Sequence, residues 1–170
     1  MTSEPDFTEE EWTRLKRAPF IAGMAISLAD PGGPIEALKE TSATLKTVLR
    51  AAESGDRGAL VDRLAHETAE DARSRKNPLG GFRPHGATAG VEILDELREV
   101  SRIAAAKAAP EDVSAFRAFL VEAAQAAADA AKEGGFMGFR AEQVSEGEQR
   151  MLEQVDSALA PDDAAPPAPE

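Results

Sequence analysis

The sequence predicts an all-α protein, a compact bundle of about six to seven helices. Apolar residues recur every three or four positions along most of the chain, which is the period of an amphipathic helix. Two capping boxes, Thr8 with Glu11 and Ser145 with Glu148, mark helix starts. No segment alternates apolar and polar residues over enough positions to predict a strand.

The first helix is expected to start at the first capping box, where Phe7 and Trp12 occupy the positions of a hydrophobic staple. Because proline cannot donate a backbone hydrogen bond, Pro19 predicts a kink or a new helix beginning near Ala18. The segment 19–29 is apolar on nearly all sides, which predicts the most buried helix of the bundle.

Two amphipathic helices are predicted next. The first runs from Pro34 to Ser54 and is expected to bury Ile35, Leu38, Ser42, Leu45 and Leu49. Gly55 ends it, and Asp56 is the expected N-cap of the next helix. The inward stripe of that helix is predicted to be Leu60, Val61, Leu64, Thr68 and Ala72.

Three more helices complete the bundle. One is predicted from about Ala87 to Ala108, with Ile93, Leu94, Leu97 and Val100 facing inward. Pro110 opens the next, which carries Val113, Phe116, Phe119 and Leu120 before an alanine-rich end. The last follows Ser145 and is expected to bury Leu152, Val155 and Leu159.

Two segments outside these helices have distinctive compositions. "GGFMGF", residues 134–139, is interpreted as a structural corner because no lysine follows its glycines in a phosphate-loop arrangement. Residues 161–170 are proline-rich, acidic and without periodicity, so we expect a disordered tail after a single domain at residues 1–160.

Composition narrows the function classes. The net charge of −12 argues against a nucleic-acid-binding surface and against binding to anionic membranes. The absence of cysteine excludes disulfides, thiol nucleophiles and Cys-zinc sites. The N-terminus is acidic and lacks a secretory apolar core, and the longest apolar run, 18–29, is too short to cross a bilayer, so a cytoplasmic location is expected.

No catalytic motif is present. The sequence contains neither a Gly-x-Ser-x-Gly elbow nor a phosphate-binding loop with Gly-Lys-Ser/Thr, and no cofactor motif. These absences favour a non-enzymatic interaction protein that needs no cofactor.

A divalent-metal site is the alternative. His66 and His85 do not form the Glu-x-x-His pairs of di-iron bundles. Carboxylates on two predicted helices could still bind a hard cation, and they are Glu67, Glu70 and Asp71 on one helix and Glu92, Asp95, Glu96 and Glu99 on the other. Solvated helix faces show the same pattern.

A window without acidic residues is the most unusual charge feature. The 20 residues from Ala72 to Val91 contain no Asp or Glu, although the chain has 31 of them. Its positive or titratable residues are Arg73, Arg75, Lys76, Arg83 and His85. Such contrast predicts a surface for an anionic ligand or an acidic partner, with Phe82 as an apolar anchor. The protein's own tail or a second subunit could also occupy it, and the first three cations could instead complement a helix dipole.

An alanine-rich helix that ends in a glycine turn, "AAADAAKEGG" at residues 126–135, is followed by a Ser-x-x-Glu helix start, "VSEGEQRML" at residues 144–152. A weaker form of the pattern occurs in "MAISLADPGGPIEALKE". This arrangement resembles the TerB-like helical domains of the tellurite-resistance group. The resemblance implies an all-helical, stress-associated or interaction domain in which acidic residues bind a divalent metal. The first turn here reads Asp-Pro-Gly-Gly-Pro where those domains have a short Asp-Gly turn.

Overall fold

The amphipathic segments fold into six α-helices in a computed structural model of the protein. The structure describes residues 7–29, 34–132 and 145–160, but not the side chains of residues 34–36 and 132. The helices are α1 (Glu9–Ala29), α2 (Pro34–Ser54), α3 (Ala59–Arg73), α4 (Ala89–Lys107), α5 (Pro110–Lys132) and α6 (Glu146–Ala158). One turn of 3₁₀ helix, Gly86–Thr88, precedes α4, and none of the described residues is in a strand. The all-α prediction is confirmed.

Both predicted capping boxes are formed. The backbone N–H of Thr8 donates to Glu11 Oε2 at 2.7 Å, and that of Glu11 donates to Thr8 Oγ1 at 3.2 Å. Ser145 and Glu148 form the same reciprocal pair at 2.7 and 3.2 Å. The staple is present as well, with the rings of Phe7 and Trp12 5.7 Å apart.

Helix α1 is the centre of the bundle. It packs against all five other helices, most extensively against α5. Its segment from Ala18 to Gly23 is buried throughout, whereas Leu28 near its end is 41% exposed. Of the two expected outcomes at Pro19, a kink or a new helix near Ala18, the new helix is wrong, because α1 continues through Pro19. Proline removes one backbone hydrogen bond, and the burial of the surrounding apolar residues offsets that loss.

All six helices contribute to one apolar core. Most of the predicted inward residues are buried, namely Leu60, Val61, Leu64, Thr68, Ile93, Leu97, Val100, Phe116, Phe119, Leu120, Val155 and Leu159. A few are only half-buried, namely Ala72, Leu94, Val113 and Leu152. Buried alanines on α5, such as Ala124 and Ala127, allow neighbouring helices to approach closely.

The predicted bounds of α2 are confirmed, but its predicted inward face is only partly correct: Leu45 and Leu49 are half-buried, and Leu45 packs on the core. Leu38 is 69% exposed and Ser42 is exposed, while the buried residues are Glu40, Thr44, Thr47, Val48 and Ala51. Hydrophobic periodicity missed this face because three of its five residues are polar.

A close approach between α1 and α2 explains the polar face. A methyl group on Gly23 of α1 would lie 2.5 Å from Thr44 Oγ1, so only glycine allows this contact. Ser27 of α1 donates a hydrogen bond to the buried carboxylate of Glu40. Thr44 Oγ1 is buried without a hydrogen-bond partner among the described atoms.

The start of α3 also differs from the prediction. Gly58, with φ +101°, is the N-cap residue in place of Asp56. The side chain of Asp112 on α5 accepts a hydrogen bond from the Leu60 N–H at 3.3 Å, so the cap comes from a neighbouring helix. The predicted corner at residues 134–139 and the predicted tail at residues 161–170 lie outside the described residues.

Candidate functional site

The acid-free window forms the end of α3, a connecting loop and the start of α4. Its first turn is a Schellman motif, in which the N–H groups of Arg75 and Lys76 donate to the carbonyls of Ala72 and Asp71, both at 3.0 Å. Arg75 has φ +55° and is the one described non-glycine residue with a positive φ. Glycine is the usual residue at this position because it has no Cβ to clash.

The five predicted positive residues fall into two groups. Arg73, Arg75 and Arg83 are exposed, and none of them forms an ion pair within the described chain. By contrast, Lys76 Nζ lies 2.6 Å from Asp71 Oδ1, and His85 Nδ1 lies 3.1 Å from Glu92 Oε2. The Thr88 hydroxyl, and then His85, lower the pKa of Glu92 by hydrogen bonding to its carboxylate. We call residues 73–85 the arginine loop.

Apolar contacts fix the arginine loop against α1. Leu79 and Phe82 are half-buried and pack on the core. The Phe82 ring centre lies 5.1 Å from the guanidinium carbon of Arg17, a cation–π contact. A methyl group on Gly80 would lie 2.9 Å from the Thr13 side chain. Phe82 therefore anchors the loop to the core, and its role as an apolar anchor for a partner stays a prediction.

Two of the acidic residues of α3, Glu67 and Asp71, face α1. Trp12 Nε1 donates to Glu67 Oε2 at 2.7 Å, and Lys16 Nζ lies 2.6 Å from Asp71 Oδ2. Glu70 is exposed on the other side, with its carboxylate 3.6 Å from His66 Nε2.

The acidic residues of α4 are also paired with cations. Glu96 is buried, and its two carboxylate oxygens form ion pairs with the guanidinium groups of Arg17 at 2.5 Å and Arg14 at 3.3 Å. Asp95 pairs with Arg98 at 2.5 Å, and Glu99 pairs with Arg102 at 2.6 Å, which lowers the pKa of Glu99.

The structure does not bring the two acidic strips together. Helix α1 lies against both α3 and α4, which make no contact with each other in the described part of the chain. Within the described ranges, no group of three His, Asp or Glu side chains is placed to hold a metal ion. The metal assignment stays a prediction.

Sequence reasoning missed the basic residues of α1. Arg14, Lys16 and Arg17 bind the carboxylates that were considered as metal ligands. Their signal was present as "RLKR", residues 14–17, an exception in an otherwise acidic N-terminal segment. Only the fold shows that these cations point towards Asp71 and Glu96.

A cleft of about 410 Å³ opens beside the arginine loop. Its walls come from α1, α2, α3 and the loop segment 76–80. Phe20, Leu45 and Pro78 supply apolar surface, and Lys16, Asp71 and Lys76 supply the charges. A second, larger groove between α2 and α5 has small residues such as Ala126 along its floor.

Comparisons with known proteins add no relative. No family model, no curated protein and no solved structure matches the chain. None of the described helices has an apolar stretch of membrane-spanning length. The resemblance to TerB-like domains therefore remains an expectation from the sequence.

Proposed function

We propose that the chain is a non-enzymatic protein-interaction domain whose arginine loop captures an acidic segment of a partner protein. The observation that carries the proposal is the exposure of Arg73, Arg75 and Arg83 without an ion pair in the described chain. Arginine guanidinium groups bind carboxylates in a bidentate manner, so three exposed arginines without an ion pair in the described chain are available to bind acidic side chains. A cytoplasmic location belongs to the same proposal.

The surrounding charge supports this proposal. A net charge of −12 repels most acidic proteins, and a positive surface on a segment without Asp or Glu attracts an acidic partner to that segment. By contrast, Arg14, Lys16 and Arg17 of α1 and Arg63 of α3 all form ion pairs with carboxylates.

The backbone of Arg75 gives independent support. A left-handed conformation costs an L-residue about 1–2 kcal/mol, and glycine would avoid that cost. An arginine held in this conformation at an exposed turn is consistent with a role for its side chain in binding.

A charge-reversal experiment tests the proposal. The loop variant carries Arg73→Glu, Arg75→Glu and Arg83→Glu. The matched control carries Lys39→Glu, Lys46→Glu and Arg50→Glu on α2, three exposed cations that also lack an ion pair in the described chain. Both variants have the same net charge, so a difference between them reports position.

The probe is a fluorescent polyglutamate peptide, and the measurement is its anisotropy at low and physiological salt. Exposed ion pairs contribute about 0.2–1 kcal/mol each, so loss of three should weaken binding by about threefold to about a hundredfold. The control should bind within about twofold of the wild type. Equal losses in both variants, or no binding by the wild type, would contradict the proposal. Analytical ultracentrifugation tests whether a second copy of the chain binds the arginine loop instead. Self-association of the wild type and the control that is lost in the loop variant would indicate this.

A further inference from the structure

The cleft beside the arginine loop has the size and composition of a small-molecule site. Its volume of about 410 Å³ lies in the usual range for ligand pockets. Its walls come from three helices and from the arginine loop, which Leu79 and Phe82 hold against the core. The cleft therefore does not depend on a single flexible segment.

Two ammonium groups meet in this cleft around one carboxylate. Lys16 Nζ and Lys76 Nζ each lie 2.6 Å from a different oxygen of Asp71. These contacts lower the pKa of Asp71, with Lys16 having the larger effect. Two positive charges against one negative charge leave the cleft lining with one net positive charge.

The neighbouring acidic residues have other partners. Glu67 Oε2 lies 4.0 Å from Lys16 Nζ but accepts a hydrogen bond from Trp12, and its other oxygen binds Arg63 at 3.1 Å. Glu70 faces His66. Asp71, and to a smaller extent Glu70, raise the pKa of Lys76. Neither Glu67 nor Glu70 lines the cleft, so within the lining the two lysines face one carboxylate.

Hydrogen-bond donors remain available at the same place. An ammonium group has three N–H donors, and Lys76 uses one of them in its hydrogen bond to Asp71. The Asn77 carbonyl oxygen accepts from the Leu79 N–H at 3.0 Å, which leaves the amide NH₂ of Asn77 as a donor. The hydroxyls of Thr13 and Thr41 already donate to backbone carbonyls of their own helices.

We infer that this cleft binds a small molecule that has one carboxylate and a compact apolar body. The carboxylate lies beside Asp71 and binds Lys16 and Lys76, and the apolar body packs on Phe20, Leu45 and Pro78. A cationic ligand is disfavoured because the acceptors of Asp71 are taken by two ammonium groups. This inference does not rest on the proposed partner site, since it uses none of the three unpaired arginines.

The test compares two probes that differ only in their headgroup, octanoate and octanol. Each is titrated into ¹⁵N-labelled full-length protein, and the amide shifts of Thr13, Thr41 and Gly80 are followed. Octanoate should saturate these shifts, and octanol should bind about tenfold more weakly because it cannot form the ion pairs.

Lys76→Gln is the informative variant because Lys76 is exposed and its loss leaves the core intact. It should weaken octanoate binding about tenfold and leave octanol binding unchanged. Lys39→Gln, an exposed lysine outside the cleft, is the control and should change neither. Equal binding of the two probes, equal effects of the two variants or no saturable binding would overturn the inference. The arginine-loop charge reversal should leave octanoate binding intact, which separates this test from that of the proposed function.

Discussion

Arg75 shows how a single residue can combine backbone strain and exposure. It occupies the left-handed position of a Schellman motif, where the chain leaves α3. Nothing in the described structure holds its side chain through an ion pair. The turn therefore keeps a costly residue where a glycine would satisfy the same backbone hydrogen bonds.

Arg75→Gly should raise the free energy of unfolding by about 0.5–1 kcal/mol, because glycine adopts a positive φ without strain. Arg73→Gly is the matched control, since Arg73 ends α3 in a helical conformation. It should lower the free energy of unfolding by up to about 1 kcal/mol. Urea denaturation measures both, and a destabilising Arg75→Gly would show that Arg75 is not left-handed in solution.

At the scale of elements, α1 joins the bundle through charge as well as through apolar packing. Its first half places Arg14 and Arg17 on the buried carboxylate of Glu96 in α4. The side chain of Glu96 is only 8% exposed, so its charge depends on these two arginines for stabilisation.

Glu96→Gln should lower the free energy of unfolding by about 2 kcal/mol or more, because two guanidinium groups lose their buried anion. Asp95→Asn makes the same chemical change one residue earlier. Its partner Arg98 is 57% exposed, so the effect should stay within about 0.5 kcal/mol. Thermal and urea unfolding compare the two, and equal effects would mean that burial does not set the strength of the Glu96 pairs.

Helix bounds were predictable where local chemistry sets them. The capping boxes and Pro110 placed three helix starts, since each acts on its own first turn. The inward face of α2 was not predictable, because Gly23 and Thr44 meet only after α1 and α2 pack. The candidate site was also predictable only in part. A local lack of acidic residues predicted the exposed arginines that have no ion pair in the described chain. The pairing of Asp71 and Glu96 with α1 was not predictable, because it depends on contacts between residues distant in sequence.

The whole molecule depends on ionised carboxylates for part of its stability. Lys107 lowers the pKa of Glu11, and Lys16 and Lys76 lower the pKa of Asp71. Two of these three contacts join different helices, and the third joins α3 to the arginine loop. In the folded state these groups therefore hold protons less tightly than in the unfolded chain.

Stability should decline as the pH falls from about 5 to about 3, through the range where unfolded Asp and Glu titrate. In that range the unfolded chain binds more protons than the folded protein. Each carboxyl group whose pKa is lowered by folding therefore adds to the free energy of unfolding at higher pH, and this contribution is lost on acidification. The urea midpoint at several pH values measures this. Lys76→Gln should show a shallower decline, because Asp71 loses one of its cations. A midpoint that rises on acidification would contradict the assignment.

The central position of α1 also affects how the chain folds during synthesis. Its main packing partner is α5, and all of α2, α3 and α4 lie between them in the chain. Contacts of this separation raise the contact order and slow folding. The apolar segment 18–26 therefore leaves the ribosome well before α5 exists to cover it. Until then a nascent chain presents that segment to solvent, which makes this stretch the natural target for a chaperone.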